Sequence, residues 1–136
     1  MLIESDLFIA VIKDKDRLKP AATKIMEDIQ SGRMEDAYAS VAAIQEVIFW
    51  LVREGRSDEV LSTVNILLNV KNLEWVDLSK EICLNASAIM KEFKLSPFDS
   101  YHAATAISRD NKIISSDHVY DKIKSLERAS LASISP

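Results

Sequence analysis

The chain alternates short apolar runs of strand-forming residues with longer stretches whose apolar residues recur at helical spacing, and this alternation leaves few architectures open. The first run, Met1–Glu4, leads into a short helical piece through Leu7, Ile9, Ala10 and Val11. Pro20 then opens a helix near its first turn; Ala22, Ile25, Met26 and Ile29 form its apolar stripe, and Ser31-Gly32 stops it. Asp36–Ala39 reads as a second strand, with Ser40 as N-cap of the apolar helix that follows. Beyond Gly55, the set Val60, Leu61, Val64, Leu67 and Leu68 marks another amphipathic helix, and Leu73–Val76 a third strand. Ser79 caps a helix striped by Ile82, Ala86, Ile89, Met90 and Phe93; a further helix opens at Ser96, a strand follows at Ile113-Ile114, and the tail ends in Leu131–Ile134. Strands separated by crossover helices imply an α/β fold, a parallel sheet covered on both faces. Ligands of such sheets gather outside the carboxyl ends of the strands.

At 136 residues the chain is expected to form one domain, 1–136, with a single core; no repeat, low-complexity stretch or linker divides it. Seventeen Lys and Arg against 21 Asp and Glu give a net charge of −4, which argues against a broad polycationic surface. Nucleic acid is not thereby excluded, because a cation held by carboxylates can itself meet a phosphate. Cys83 is the only cysteine, which rules out an internal disulfide; with only His102 and His118 beside it, the composition argues against a protein-built structural zinc site. Cys83 sits among Ile82, Leu84 and Ala86 and reads as a small core residue. No run approaches the roughly 18 to 20 apolar residues that span a bilayer, and no signal-type segment opens the chain. A soluble, cytoplasmic protein without membrane contact is expected.

Glu46 is the only ionised residue among the 16 positions from Ala37 to Val52, and its helical neighbours Ala42, Ala43, Phe49 and Trp50 offer no solvated stripe. Burying an unpaired carboxylate costs several kcal/mol, so Glu46 needs a partner: a metal, or a hydrogen bond from another element. Asp99 stands three residues after Ser96 and two after Pro97, the pattern of a capping box with a first-turn proline, at the start of a helix. Asp117 ends the Ile113-Ile114 strand after two serines, where it caps the Val119-Tyr120 segment or joins a site. Asp6 caps the Leu7–Val11 helix or joins the same site, and Glu4 competes with it for the place nearest the first strand. Three acids at strand-to-helix transitions and a fourth in an apolar helix point to a metal site. An all-carboxylate set selects Mg²⁺ or Mn²⁺. His102, on an Ala-rich helix, reads as a packed residue and His118 as a solvent-facing one. Lys13, Lys15, Arg17 and Lys19 alternate with Asp14 and Asp16 as a solvated edge, and no Gly-rich phosphate loop exists.

Four segments together resemble the PIN domain, a small nuclease fold found in VapC-type toxins and RNA-processing proteins. Leu2–Ile9 is similar to the family's opening strand and acidic motif, Ile44–Val47 to its helical glutamate motif, Ser96–Ala106 to its most specific motif and Ile114–Tyr120 to its closing strand and final aspartate. The family opens with Asp-Thr-Asn or Asp-Thr-Ser. By spacing, Glu4 takes the place of the leading aspartate and Asp6 that of the Asn or Ser; Asp6 is nonetheless taken as principal ligand, with Glu4 nearby. The resemblance implies a three-layer sandwich with a central, mainly parallel sheet of about five strands flanked by helices. It implies RNA phosphodiester hydrolysis by Asp6, Glu46, Asp99 and Asp117. Asp6, Asp99, Asp117 and Glu4 would hold Mg²⁺ or Mn²⁺, Glu46 would position the attacking water or support the ligands, and Ser115 would tether the turn by hydrogen bonds. RNA as substrate, an antitoxin protein as partner and a homodimer are the implied associations. A catalytically weak PIN-like scaffold binding RNA or protein is the alternative. A flavodoxin-like phosphoacceptor ranks last, for want of a lysine-bearing receiver motif.

Overall fold

Side chains alternate between the two faces of a strand, and here that alternation splits the core into two layers. The computed structural model describes residues 1–134; positions 135 and 136 of the expected 1–136 domain lie outside the described residues. Leu2–Ile3 (β1), Tyr38–Ser40 (β2), Glu74–Val76 (β3), Lys112–Ile114 (β4) and Glu127–Ala129 (β5) form one sheet in the order β3-β2-β1-β4-β5. Every pairing is parallel, with Leu2 in register with both Tyr38 and Ile113, and Ile3 with Ile114. The helices are Ser5–Ile12 (α1), Lys19–Gln30 (α2), Ala42–Arg53 (α3), Val60–Leu68 (α4), Lys80–Phe93 (α5), Pro97–Ile107 (α6) and Leu131–Ile134 (α7).

Ile3, Ala39 and Ile114 enter the layer built by Leu7 and Phe8 of α1, Ile25 and Ile29 of α2, Val47 and Leu51 of α3, Leu67 of α4 and Leu131 of α7. Leu2, Tyr38 and Ile113 enter the other, with Ile82, Ala86 and Ile89 of α5 and Ala103, Ala104 and Ala106 of α6. The architecture is the expected α/β three-layer sandwich. Among the described residues, no helix is long and apolar enough to cross a membrane.

Local chemistry accounts for the element ends. α2 carries proline in its first turn and buries Ala22, Ile25, Met26 and Ile29 along one stripe; it ends before Gly32, whose φ of 81° a side chain would strain. Gly55, at φ 73°, closes α3 in the same way.

Five expectations are corrected. The second strand is Tyr38–Ser40 rather than 36–39: Asp36 adopts a left-handed φ of 58°, which no strand tolerates. Ser40 therefore ends the strand and does not cap the helix, although its Oγ accepts from Ala42 N at 3.1 Å. The helix beyond Gly55 buries only Leu67, while Leu61 is 83% exposed, because it packs on the outside of α3. Cys83 is half-buried, lying one position off the Ile82, Ala86, Ile89 stripe of α5. Finally, β5 has no counterpart in the pattern of apolar runs; Glu127-Arg128-Ala129 is an edge strand, so it needs no apolar side chains on both faces.

Candidate metal centre

The first residue beyond β1 is Glu4, whose backbone N donates to Ile114 O of adjacent β4 at 3.2 Å. Its extended backbone makes it the N-cap of α1, and the side chain turns inward, only 4% exposed. Oε1 accepts from Ser5 N at 3.0 Å and from Ser5 Oγ, and Oε2 accepts from Ser115 Oγ at 3.0 Å. Burial, reinforced by the charge of Asp6 and opposed by His102, pushes the Glu4 carboxyl up to about 8. Asp6 therefore does not cap α1 as one reading of the sequence had it: it lies inside the first helical turn, where the residue that caps must stand outside. Instead Asp6 Oδ2 accepts from Ser116 N at 2.7 Å and Ser116 Oγ at 2.5 Å, and its Oδ1 is buried with no hydrogen-bond partner among the described residues.

α3 and α6 pack together beside this strand end. Glu46, in the second turn of α3, is not enclosed on all sides: its side chain is 21% exposed, and α3 presents an exposed face of Gln45, Phe49 and Val52. The uninterrupted apolar composition of 37–52 concealed that face, because part of it is Phe49, 64% exposed and paired with Phe98 at 6.1 Å between ring centroids. The partner Glu46 requires is His102 of α6, whose Nε2 hydrogen-bonds Glu46 Oε1 and lies 3.6 Å from Glu4 Oε1. The imidazole is completely buried and its Nδ1 has no partner among the described residues. Burial opposes charge on the ring, but the bond to Glu46 and the fields of Glu4, Glu46 and Asp99 outweigh it and raise the His102 pKa above its ordinary value.

Asp99 occupies the first turn of α6, where its backbone N donates to the N-cap Ser96 Oγ at 3.3 Å, and its carboxylate accepts from the Tyr120 hydroxyl at 3.3 Å. Burial raises its pKa, against the Ser96 contact and with a further push from Asp117. Asp117 is exposed and caps the turn that follows, accepting from Val119 N at 2.9 Å. Ser115 Oγ joins the two sides of the loop, since it donates to Glu4 and accepts from Asp117 N at 3.0 Å. Tyr120 is fully buried, and its phenol is held protonated by burial and by the charges of Glu4, Asp99, Glu46 and Asp6. It went unread in the sequence, where a tyrosine three residues past Asp117 carries no spacing signal.

Donor atoms of Glu4, Glu46 and His102 all lie within 4.8 Å of one another, in reach of one ion bonded at about 2.0–2.6 Å to each. Among the described residues, Asp6, Asp99 and Asp117 form no such group; Asp6 acts on Glu4 and Asp117 on Asp99 only through their charges. Two carboxylates and an imidazole fit a divalent cation, which would relieve the like-charge crowding of Glu4 and Glu46. A cleft of about 950 Å³ opens at the other end of the strands, where Asp110 accepts from Met1 N and Tyr38 Oη, and Arg109 pairs with Glu74.

No curated protein sequence matches the chain. Solved structures share its fold at low identity. VapBC2 from Rickettsia felis, bound to a promoter DNA fragment, is 13% identical with a TM-score of 0.73, over 95% of this chain and 96% of that one. DNA-bound VapBC from Salmonella typhimurium is 16% identical, TM-score 0.73, over 96% of each chain. VapC20 from Mycobacterium tuberculosis, a toxin that cleaves the sarcin-ricin loop, is 12% identical, TM-score 0.72, over 88% and 92%. The sequence model of the PIN domain matches residues 1–126, nearly the whole described chain, and on that match this protein belongs to the PIN domain family.

Proposed function

We propose that this PIN domain, taken as a single domain over 1–136, is a Mg²⁺- or Mn²⁺-dependent endoribonuclease acting as the toxin of a toxin–antitoxin pair. The observation that carries the reading is the meeting of Glu4, Glu46 and His102 at the carboxyl edge of a parallel sheet, with the unpaired Asp6 Oδ1 alongside. A divalent cation bound there supplies Lewis acidity, lowering the pKa of water and neutralising charge on the phosphoryl oxygens. Glu4 would hold it, with Asp6, Asp99 and Asp117 as the acidic surroundings, and Glu46, the most solvent-open of the clustered donors, would reach both the ion and the attacking water. Ser115 and Ser116 fix Glu4 and Asp6 by hydrogen bonds, and the Tyr120 hydroxyl fixes Asp99. An antitoxin is the proposed partner, supported by structural neighbours that are toxin–antitoxin complexes. A cytoplasmic location belongs to the same proposal.

The test is cleavage of defined single-stranded RNAs by the purified protein with Mg²⁺, Mn²⁺ or chelator. Cleavage is expected only with metal, and Asp99→Asn should lower it on the order of 10²–10³-fold. The fold should survive, because the amide keeps the cap bond from the backbone N of position 99 to Ser96 Oγ. Full metal-dependent turnover by Asp99→Asn would overturn the assignment. A second reading, a catalytically weak scaffold binding RNA or protein, draws on one observation: Glu4 in the leading acidic place is held near neutrality by burial. That reading predicts RNA binding without metal-dependent cleavage.

A further inference from the structure

The donor cluster contains one nitrogen among its oxygens. We infer that His102 Nε2 is a direct ligand of the divalent cation, so that the centre is a Glu4, Glu46, His102 set selecting Mn²⁺ and later first-row ions over Mg²⁺. The inference rests on the metal-centre reading above and adds to it the identity of the donors and the metal they prefer.

His102 lies on α6 between Ser100 and three alanines, all buried, and is itself completely enclosed. A histidine serving only to fill space there would be a costly choice, because its two ring nitrogens lose water. Nδ1 makes no hydrogen bond among the described residues, so Nε2 is the ring's one polar engagement: it bonds Glu46 Oε1 and lies 3.6 Å from Glu4 Oε1. Both carboxylates come from other parts of the chain, Glu4 from the end of β1 and Glu46 from α3, so three separate elements deliver the three donors to one point. Imidazole nitrogen favours later first-row ions in the Irving–Williams order, whereas Mg²⁺ keeps to oxygen and water. One nitrogen in three protein donors thus shifts the preference of a site that an all-acid reading assigns to Mg²⁺ or Mn²⁺ alike. Were His102 only a positioning residue that orients Glu46, the ion would meet oxygen alone.

Pulsed electron paramagnetic resonance on the full chain with one equivalent of Mn²⁺ separates these cases without depending on activity. The expected result is nitrogen modulation from a coordinated imidazole, with frequencies that change when histidine is ¹⁵N-labelled. The chain has two histidines, so His118→Asn assigns the signal: it should persist there and vanish in His102→Gln. Mg²⁺ should need at least about tenfold higher concentration than Mn²⁺ to displace bound Mn²⁺ from the native chain, a margin that collapses in His102→Gln. If His102→Gln fails to fold, the labelled native chain and His118→Asn still decide. Bound Mn²⁺ with no nitrogen modulation would overturn the inference and leave the metal centre standing, while absence of stoichiometric Mn²⁺ binding would overturn both.

Discussion

Glu4 shows how one residue's surroundings set its chemistry. A glutamate at a strand exit is ordinary in sequence; enclosed beside Asp6, its carboxyl rises from 4.5 to about 8. The folded state then holds a proton that the unfolded chain has released, so this group's contribution favours folding at low pH and is lost as pH rises from about 4.5 through about 8. His102 and Asp99, both raised, act with the same sign, the histidine's contribution being lost as pH climbs through its folded pKa. In chelator, the urea midpoint is expected to fall between about pH 6 and pH 9, by up to about 1.4 kcal/mol per pH unit for each proton retained. Glu4→Gln should flatten that slope, and saturating Mn²⁺ should flatten it too, by replacing protons among the acids. A midpoint that rises with pH in chelator would contradict the buried placement of these groups. At this scale Glu46 was legible, since a lone charge in an apolar run must find a partner. His102 was not: its partner lies 56 positions away, and a histidine among alanines looks the same in sequence whether it packs or binds.

The elements differ in how local their causes are. α6 announces itself through Ser96 and Pro97, and the structure keeps both signals: Ser96 Oγ accepts from Asp99 N, and Ser96 O accepts from Ser100 N and Ser100 Oγ. Because this one helix carries Asp99 and His102, its cap bears on the site as well as on stability. Ser96→Ala should cost about 1 kcal/mol in urea unfolding and lower Mn²⁺ affinity without changing the metal-to-protein ratio. An unchanged unfolding midpoint would show the cap to be dispensable. α3 is the opposite case, with an apolar composition that hides a solvent-facing side, and β5 is too polar to be seen as a strand at all. Its pairing comes from β4, where Ile113 and Ile114 align with Arg128 and Ala129.

For the whole molecule, the exposed face of α3, with Phe49 and Val52, together with Leu61 of α4 and Leu84 of α5, bears on association. Apolar exposure of this kind favours self-pairing, and a homodimer is the expected state. Light scattering should then give twice the 15.3 kDa chain mass, and Phe49→Glu should shift it toward one; a native monomer at high micromolar concentration would remove that expectation. The alternation of strand and helix was enough to define the α/β class, and the acids at strand-to-helix transitions were enough to nominate the site, because hydrophobic period, capping and the cost of a buried charge act between neighbours in the chain. The partners those acids choose were decided only in three dimensions. Asp117 spends an oxygen on Val119 N, Asp6 turns to Ser116, and Glu4, Glu46 and His102 close on one point, since such contacts depend on which strand ends the sheet order brings side by side.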